Sequence, residues 1–373
     1  MSSTTTAPQR LLLEGSDAIA EAMVVAGCRF FAGYPMTPFT EVLEGMAKKL
    51  APVGGVCMNA ESELEAIGMA WGAAATGTRA ATGSTGQGLA LMQESISELS
   101  QARLPMVIIH MARSQGEYWQ ATRSAHADVR RIVLAPMDVT EATQLTQLAF
   151  HLADRWRNPV IVYGDYYIAH TYQSVDIEPL DFGPLPEKDW ALTGATGGSG
   201  GARLVSPLGD LKQRDDVGYD MAEYYHRVAG HQAEMIEATE PMVETGHVDD
   251  AEVVVVAFGT PGKFVRYVVN QLRDEGVPVG FVRPITLFPF PTEAVRAAAE
   301  RARVVGVYEN STGQVIEDVR LSVLGAAPVE AIGGLTLDSS GFGIGPDITV
   351  PEIRSRILQL CERAGCVPEG VAR

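Results

Sequence analysis

The chain reads as an α/β protein with two domains of unequal size, and three observations carry that reading. Apolar runs suited to buried strands alternate with stretches of helical periodicity over residues 11–165 and again over 251–373. From Tyr166 to about Asp250 the alternation fails, and 186–250 reads as a linker or irregular segment. A length of 373 residues, 46% hydrophobic and 20% charged, is enough for two full cores.

The elements follow in order. "MSSTTTAPQR" (1–10) lacks an apolar core and a cleavage pattern, so it reads as a disordered tail and not as a signal peptide. "GSDAIAEAMVVAG" is a helix that Gly27 stops, with Ser16 or Asp17 able to cap it. "RFFAGYP" is a strand, and "TPFTEVLEGMAKKL" a helix with Pro38 in its first turn. "GGVCMNA" is the next strand, followed by the small-residue helix "ESELEAIGMAWGAAATG". "TRAATGSTG" repeats the strand-to-glycine turn before "QGLALMQESISELSQA", and "LPMVIIHMA" has the unbroken apolarity of a central parallel strand. "TEATQLTQLAFHLADRWR" places Ala142, Leu145, Ala149 and Leu152 on one helical face, and "NPVIVYGD" closes the first block. In the middle, "TGATGGSGG" reads as a linker or mobile loop, and "GYDMAEYYHRVAGHQAEMIEATE" as a helix with a weak point at Gly230. The second block runs from "AEVVVVAFGT" through "KFVRYVVNQLRDEG", "VPVGFVRPITLFPFP", "TEAVRAAAE" and "ARVVGVYEN" to "GQVIEDVRLSVLG".

Composition excludes several classes. A net charge of −17 without a basic cluster is no footprint for nucleic acid. No apolar run approaches the ~18 residues of a membrane span. An acidic subunit also repels an acidic electron carrier, so a ferredoxin would dock on a partner. The four cysteines form no C-x-x-C pair, which suits buried thiols in a reduced cytoplasmic setting and no metal site in this chain.

Polar residues gather at the strand-to-helix joints of the first block: Pro35 and Thr37, then Glu61/Glu63/Glu65, then "GSTGQG" (83–88), then Arg113. In a parallel sheet such joints share the carboxyl edge, where ligands bind. "GSTGQG" matches neither the phosphate loop nor the dinucleotide fingerprint. Its glycines allow backbone to approach something flat, although a tight turn before a helix explains them equally well. The three glutamates alternate and cannot share one helical face. Ser62 with Glu65 fits a capping box, Glu61 faces solvent, and Glu63 is left over. From the pattern alone a solvated surface acid remains the plainer reading of each. Arg113 suits either a carboxylate clamp or a surface ion pair. In "YWQATRSAHAD", His126 is more simply a bystander than a catalyst.

Taken together, "AGCRFFAGYPMTPFTEV", "ESELEAIGMAWGAA", "DVRRIVLAPMDVTEATQLTQLAFHLADRWRNPVIVYGD", "VRPITLFPFP" and "GQVIEDVR" resemble the thiamine-diphosphate-binding alpha chain of 2-oxoacid:ferredoxin oxidoreductases. The likeness spans about residues 11–360 and is nearest the 2-oxoisovalerate and 2-oxoglutarate members with separate subunits. It implies a pyrimidine-binding domain at 11–185 and a transketolase C-terminal-like domain at 251–373. The cofactor would be shared with a beta-type subunit carrying the diphosphate-binding domain. Mg²⁺ and [4Fe-4S] clusters would lie on partner subunits, which would include gamma-type and ferredoxin-like chains. Glu63 would hydrogen-bond the aminopyrimidine ring, Thr37 and Arg113 would hold the substrate carboxylate, and Pro35, Gly83, Ser84, Thr85 and Gly86 would line the cofactor. The implied reaction is oxidative decarboxylation of a 2-oxoacid with coenzyme A to acyl-CoA and CO₂.

One stretch departs from the family pattern. "ARSQGEYWQATRSAHADVRR" is short and carries "SAHAD" where the relatives have a glycine-rich run. This loop is expected to flank the substrate side chain, with Tyr118, Trp119 and His126 as candidates and an apolar or aromatic 2-oxoacid favoured by the first two. Two rival readings stay open: a non-oxidative thiamine-diphosphate decarboxylase subunit, and a non-catalytic assembly subunit. A dinucleotide dehydrogenase is weaker, for want of the fingerprint.

Overall fold

The structure, a computed structural model, describes residues 10–123, 125–194, 213–214, 218–335, 348–368 and 370–371. The expected tail and most of "TGATGGSGG" lie outside them. By contacts the chain divides into two compact units. One comprises Met1–Met111, Asp138–Val162 and Tyr167–Tyr224; the other comprises Ala112–Met137, Tyr163–Tyr166 and Tyr225–Arg373. The boundaries read from the sequence differ from these, because 112–137 groups with the later part of the chain.

The elements in chain order are β1 (Leu11–Glu14), α1 (Gly15–Val25), β2 (Phe30–Gly33), α2 (Thr40–Leu50), β3 (Val56–Asn59), α3 (Glu63–Ala75), β4 (Ala80–Ser84), α4 (Gly86–Gln101), β5 (Met106–Ala112), α5 (Tyr118–Thr122), β6 (Ile132–Leu134), α6 (Val139–Trp156), β7 (Pro159–Asp165), α7 (Tyr166–His170) and β8 (Tyr172–Val175). They continue with β9 (Gln213–Arg214), β10 (Gly218–Tyr219), α8 (Met221–Ala238), β11 (Val243–Gly246), β12 (Val253–Val256), α9 (Gly259–Asp274), β13 (Val279–Pro284), β14 (Thr286–Phe288), α10 (Thr292–Ala299), β15 (Val304–Val307), α11 (Val315–Val323), β16 (Val329–Ala331) and α12 (Val350–Arg363).

In the first unit the strands lie in the order β7-β5-β4-β2-β3. β2 is parallel to both β3 and β4, and β4 is parallel to β5. Every residue of β4 and β5 is buried, as helices on both faces of a parallel sheet require. The helix after β2 starts at Thr40 and not at Thr37 as the sequence suggests. Thr37 precedes Pro38, and the residue before a proline is sterically pushed out of the helical region, so 34–39 stays a turn. The middle of the chain is more regular than expected. β8 pairs antiparallel with β1, and α8 runs unbroken through Gly230.

In the second unit the sheet order is β11-β13-β12-β15-β16, parallel except at the β11 edge. β14 pairs antiparallel with β6 in the same unit, and Ala135 N donates to Ile285 O. These backbone bonds explain why 112–137 belongs with the later part of the chain.

All four cysteines are free thiols. Burial pushes the Cys28 thiol up to about 12 and the half-buried Cys57 up to about 11. Each unit upward cuts the thiolate population about tenfold. At pH 7.5, iodoacetamide is therefore expected to label both far more slowly in the native chain than in urea, as read by peptide mass spectrometry. Equal labelling rates would contradict these environments. Among the described residues, no helix is long and apolar enough to cross a membrane.

Candidate functional site

The first sheet has a switch point. β2 is its first strand in the chain, with β3 on one side and β4 on the other. Connections leaving β2 and β4 therefore diverge to opposite sides, the place at the carboxyl ends of parallel strands where ligands usually bind. Three joints reach that edge: the turn 34–39 after β2, the Ala60–Ser62 joint after β3, and Thr85, the one residue between β4 and α4.

The joint after β3 sorts its three glutamates by a local device. Ser62 caps α3, accepting from Glu65 N at 3.4 Å and donating to Glu65 Oε2 at 2.8 Å. The cap and the side-chain bond keep Glu65 at the surface; they make the serine half of the capping box that the S-x-x-E spacing suggests. Glu61 is also exposed. Glu63, the first residue of α3, turns inward and is only 2% exposed. Ser84 Oγ, at the end of β4, donates to Glu63 Oε1 at 2.7 Å.

The contact exists because position 88 has no side chain. A β-carbon there would lie 2.1 Å from Ser84 Oγ and 2.2 Å from Glu63 Oε1. Gly88, the last residue of "GSTGQG", was not singled out as a site residue, and it is what lets α4 pack over the acid. Gly83 acts likewise: a β-carbon would meet Ile109 O at 2.2 Å and the Phe39 ring at 2.5 Å. The glycines expected to face a flat ligand thus also face the protein's own groups. Thr85, fully buried, donates to Met36 Sδ at 3.6 Å and so ties the α4 joint to the turn after β2. On that turn Pro35 and Thr37 are exposed. Glu63, Ser84, Thr85, Gly86, Pro35 and Thr37 therefore lie along one edge of one unit.

The other candidates belong to the second unit. Arg113 follows β5, is partly buried, and its backbone N donates to Glu117 Oε1 at 3.4 Å. It borders a hollow of about 10 Å³ with Tyr163, Phe258 and Asn310, room for a water and no more. Tyr118, expected to flank a substrate, requires correction. It is fully buried, its hydroxyl donates to Asp318 Oδ2 at 2.6 Å, and its ring packs 5.8 Å from that of Phe258. Burial, then the Asp318 charge, holds its hydroxyl well above the usual phenol range. Trp119 is 39% exposed and His126 is exposed. Among the described residues, no three His, Cys, Asp or Glu side chains gather as a metal site.

Comparisons with known proteins agree with this picture. Residues 21–246 match the family described as pyruvate flavodoxin/ferredoxin oxidoreductase, thiamine diphosphate-binding, and residues 251–340 match pyruvate:ferredoxin oxidoreductase core domain II. The chain is 36% identical over 324 residues to the ketoisovalerate oxidoreductase subunit VorB of Methanothermobacter thermautotrophicus, covering 83% of this chain and 89% of that one. It is 32% identical over 360 residues to the 2-oxoglutarate synthase subunit KorA of the same organism, covering 87% and 94%. Among solved structures it resembles the 2-oxoglutarate:ferredoxin oxidoreductase of Magnetococcus marinus, which holds 2-oxoglutarate, coenzyme A and succinyl-CoA. That likeness has a TM-score of 0.78 at 25% identity and covers 95% of this chain and 66% of that one. A split-gene transketolase matches in fold alone, with a TM-score of 0.54 at 13% identity. A buried acid at a switch point, within a segment that matches a thiamine-diphosphate-binding family, leads to one assignment: the chain belongs to the pyruvate flavodoxin/ferredoxin oxidoreductase family, whose curated members matched here are subunits of 2-oxoacid oxidoreductases.

Proposed function

We propose that this chain supplies the pyrimidine half of a thiamine-diphosphate site in a CoA-dependent 2-oxoacid oxidoreductase. The observation that carries this reading is Glu63: an acid 2% exposed, with one oxygen held by Ser84, inside the segment that matches the thiamine-diphosphate-binding family. An aminopyrimidine ring needs such a carboxyl group, able to share a proton with a ring nitrogen away from water. The donor set therefore fits the cofactor. Thiamine diphosphate, when bound, supplies the electron sink that decarboxylation of a 2-oxoacid requires.

This chain's residues take the remaining roles. Glu63 holds or passes the proton at the ring nitrogen, through the oxygen Ser84 leaves open. Ser84, Thr85, Gly83, Gly86 and Pro35 shape the walls. Thr37, exposed at the same edge, orients the substrate carboxylate. Arg113 is a guanidinium partner for a 2-oxoacid carboxylate, the role the family resemblance gives it. The balanced reaction converts R–CO–COO⁻ and CoA–SH to R–CO–S–CoA, CO₂, one proton and two electrons. Iron–sulfur clusters on gamma-type and ferredoxin-like partners would take the two electrons on to a ferredoxin or an equivalent acceptor. Mg²⁺ and the diphosphate belong to a beta-type partner, and the complex works in the reducing cytoplasm.

The α3 surface supports a partner close to Glu63. Leu64 is 52% and Met69 37% exposed, and Gly68 and Gly72 recur at helical spacing on the same exposed side with open space beyond them. A glycine inside a helix costs about 1 kcal/mol relative to alanine. Two on one face suit a helix against which another chain packs closely. Gly68→Trp is expected to leave the circular dichroism of the isolated chain unchanged and to abolish co-purification with the partner. Normal co-purification of that variant would remove α3 from the interface.

The test of the function is a tagged chain isolated natively from its host. Metal analysis and CoA-dependent dye reduction across 2-oxoglutarate, 2-oxoisovalerate, pyruvate and aryl 2-oxoacids follow. An iron-containing complex that reduces dye with one of them supports the proposal. An iron-free complex that releases CO₂ without CoA would replace it with the non-oxidative decarboxylase.

A further inference from the structure

Residues 113–123 carry Arg113 and Trp119, and their polar contacts within the second unit follow a pattern. Gln115, 5% exposed, donates from Nε2 to Phe258 O at 3.1 Å and accepts Asn310 N at 2.7 Å. Its own backbone N donates to Asn310 O at 3.1 Å. Gln314 bridges the next turn: its Nε2 donates to Gly116 O at 2.6 Å, and its Oε1 accepts Trp119 N at 2.8 Å. Asp318, one helical turn further on, accepts Tyr118 OH at 2.6 Å and Arg123 Nη2 at 3.0 Å. From behind, buried Arg131 donates to the carbonyls of Gln120, Ala121 and Arg123.

Gln314 is itself fixed. Buried Glu309 accepts the backbone N–H groups of Gln314, Val315 and Ile316 at 2.9, 3.0 and 3.1 Å, and the Ser311 hydroxyl at 2.5 Å. That carboxylate satisfies the orphan donors at the start of α11 and sets where its first turn lies. A planar amide held there presents one donor and one acceptor in a fixed direction, and these meet one carbonyl and one N–H of the 116–119 turn. Such a bridge does what a strand partner would do for a segment too short to pair.

We infer that Gln314, held by Glu309, is a positioning residue that sets the Arg113–Trp119 loop and thereby tunes affinity for the 2-oxoacid. This rests on the proposed role of Arg113 as carboxylate partner. The route runs through backbone: Gln314 holds Gly116 and Trp119, and the turn they bound follows directly from Arg113. Trp119 keeps its exposed ring in one place only while its N–H is held. Nothing in the route touches Glu63, so the effect belongs in KM for the 2-oxoacid and not in turnover.

The experiment uses the assembled complex with Gln314→Ala, and Gln314→Glu beside it. The glutamate keeps the acceptor for Trp119 N and loses the donor to Gly116 O. For Gln314→Ala, KM for the 2-oxoacid is expected to rise about tenfold or more, with kcat and KM for coenzyme A within about threefold. Gln314→Glu should fall between it and the wild type. The second readout is trypsin cleavage after Arg113 and Arg123, expected to quicken in the same order. Unchanged KM with unchanged cleavage overturns the inference. A matched fall in kcat and thermal stability reduces Gln314 to a fold-holding residue and overturns it too. Faster cleavage with unchanged KM means that the loop is held by Gln314 but does not bind the carboxylate. That outcome places the failure in the role of Arg113 and leaves Glu63 and the decarboxylation untouched.

Discussion

Glu63→Gln is expected to lower CoA-dependent dye reduction by the assembled complex by about 10²–10⁴-fold, the usual worth of a positioned proton-transfer group. Glutamine has the same size, and its carbonyl still accepts the Ser84 hydroxyl that now reaches Glu63 Oε1 at 2.7 Å. Packing over a residue 2% exposed is therefore kept, and circular dichroism and melting should match the parent. What is lost is the proton shared with the cofactor ring. The neighbours are internal controls. Glu61 is exposed, and Glu65 works in the cap with Ser62, so Glu61→Gln and Glu65→Gln should retain activity within about threefold. A Glu63→Gln complex that turns over at half the parent rate or better would end the catalytic reading and leave the assembly subunit in its place.

The device that sets Glu65 apart from Glu63 is local and so was legible, although the pattern alone favoured a surface acid at all three positions and the resemblance named Glu63. Ser62 and Glu65 stand three apart, and a capping box is written at that spacing. The same holds for the central strands, whose unbroken apolar runs can be read residue by residue. The packing of Gly88 against Glu63 and Ser84 is not written this way. It joins α4 to the start of α3 through the sheet, and nothing in "GQGLAL" tells which side of the helix meets another residue. Tyr118 was misjudged for a related reason. An aromatic residue in a polar loop looks offered to a ligand, but its partner Asp318 lies 200 residues away and draws the ring inside. Gln314 is separated from Gly116 by 198 residues, so the bridge that holds the loop has no trace near the loop. The β1–β8 pair escaped notice because both strands are four-residue edges with mixed exposure, where the signal of period two is weakest. Local grammar thus reaches the cap that occupies Glu65, and tertiary contact decides that Glu63 is buried and how it is held.

Gly88→Ala separates those two levels. In an open helix the change would add up to about 1 kcal/mol of stability, because alanine loses less backbone freedom than glycine. Position 88 is buried, and the new methyl would fall 2.1 Å from Ser84 Oγ and 2.2 Å from Glu63 Oε1. Something must move. The backbones of α3, α4 and β4 are tied into helices and sheet, whereas a serine rotor and a glutamate side chain turn at lower cost, so the carboxylate shifts first. Forcing a methylene into a packed site costs about 1–3 kcal/mol, which the helix gain partly offsets, so melting should change by only a few degrees. Activity should not be spared, since a misplacement of about 1 Å in a catalytic group costs about 10²-fold. The signature is therefore a folded complex with turnover down by about two orders of magnitude. Removing the hydroxyl that the methyl strikes, in Gly88→Ala with Ser84→Ala, should restore part of that loss, although Ser84→Ala alone loosens Glu63 and lowers turnover. Two harmful changes that partly cancel are the non-additive behaviour expected of atoms in contact. If the double variant is instead as poor as the product of its two singles, the methyl acts elsewhere and Gly88 is not the space that Glu63 needs.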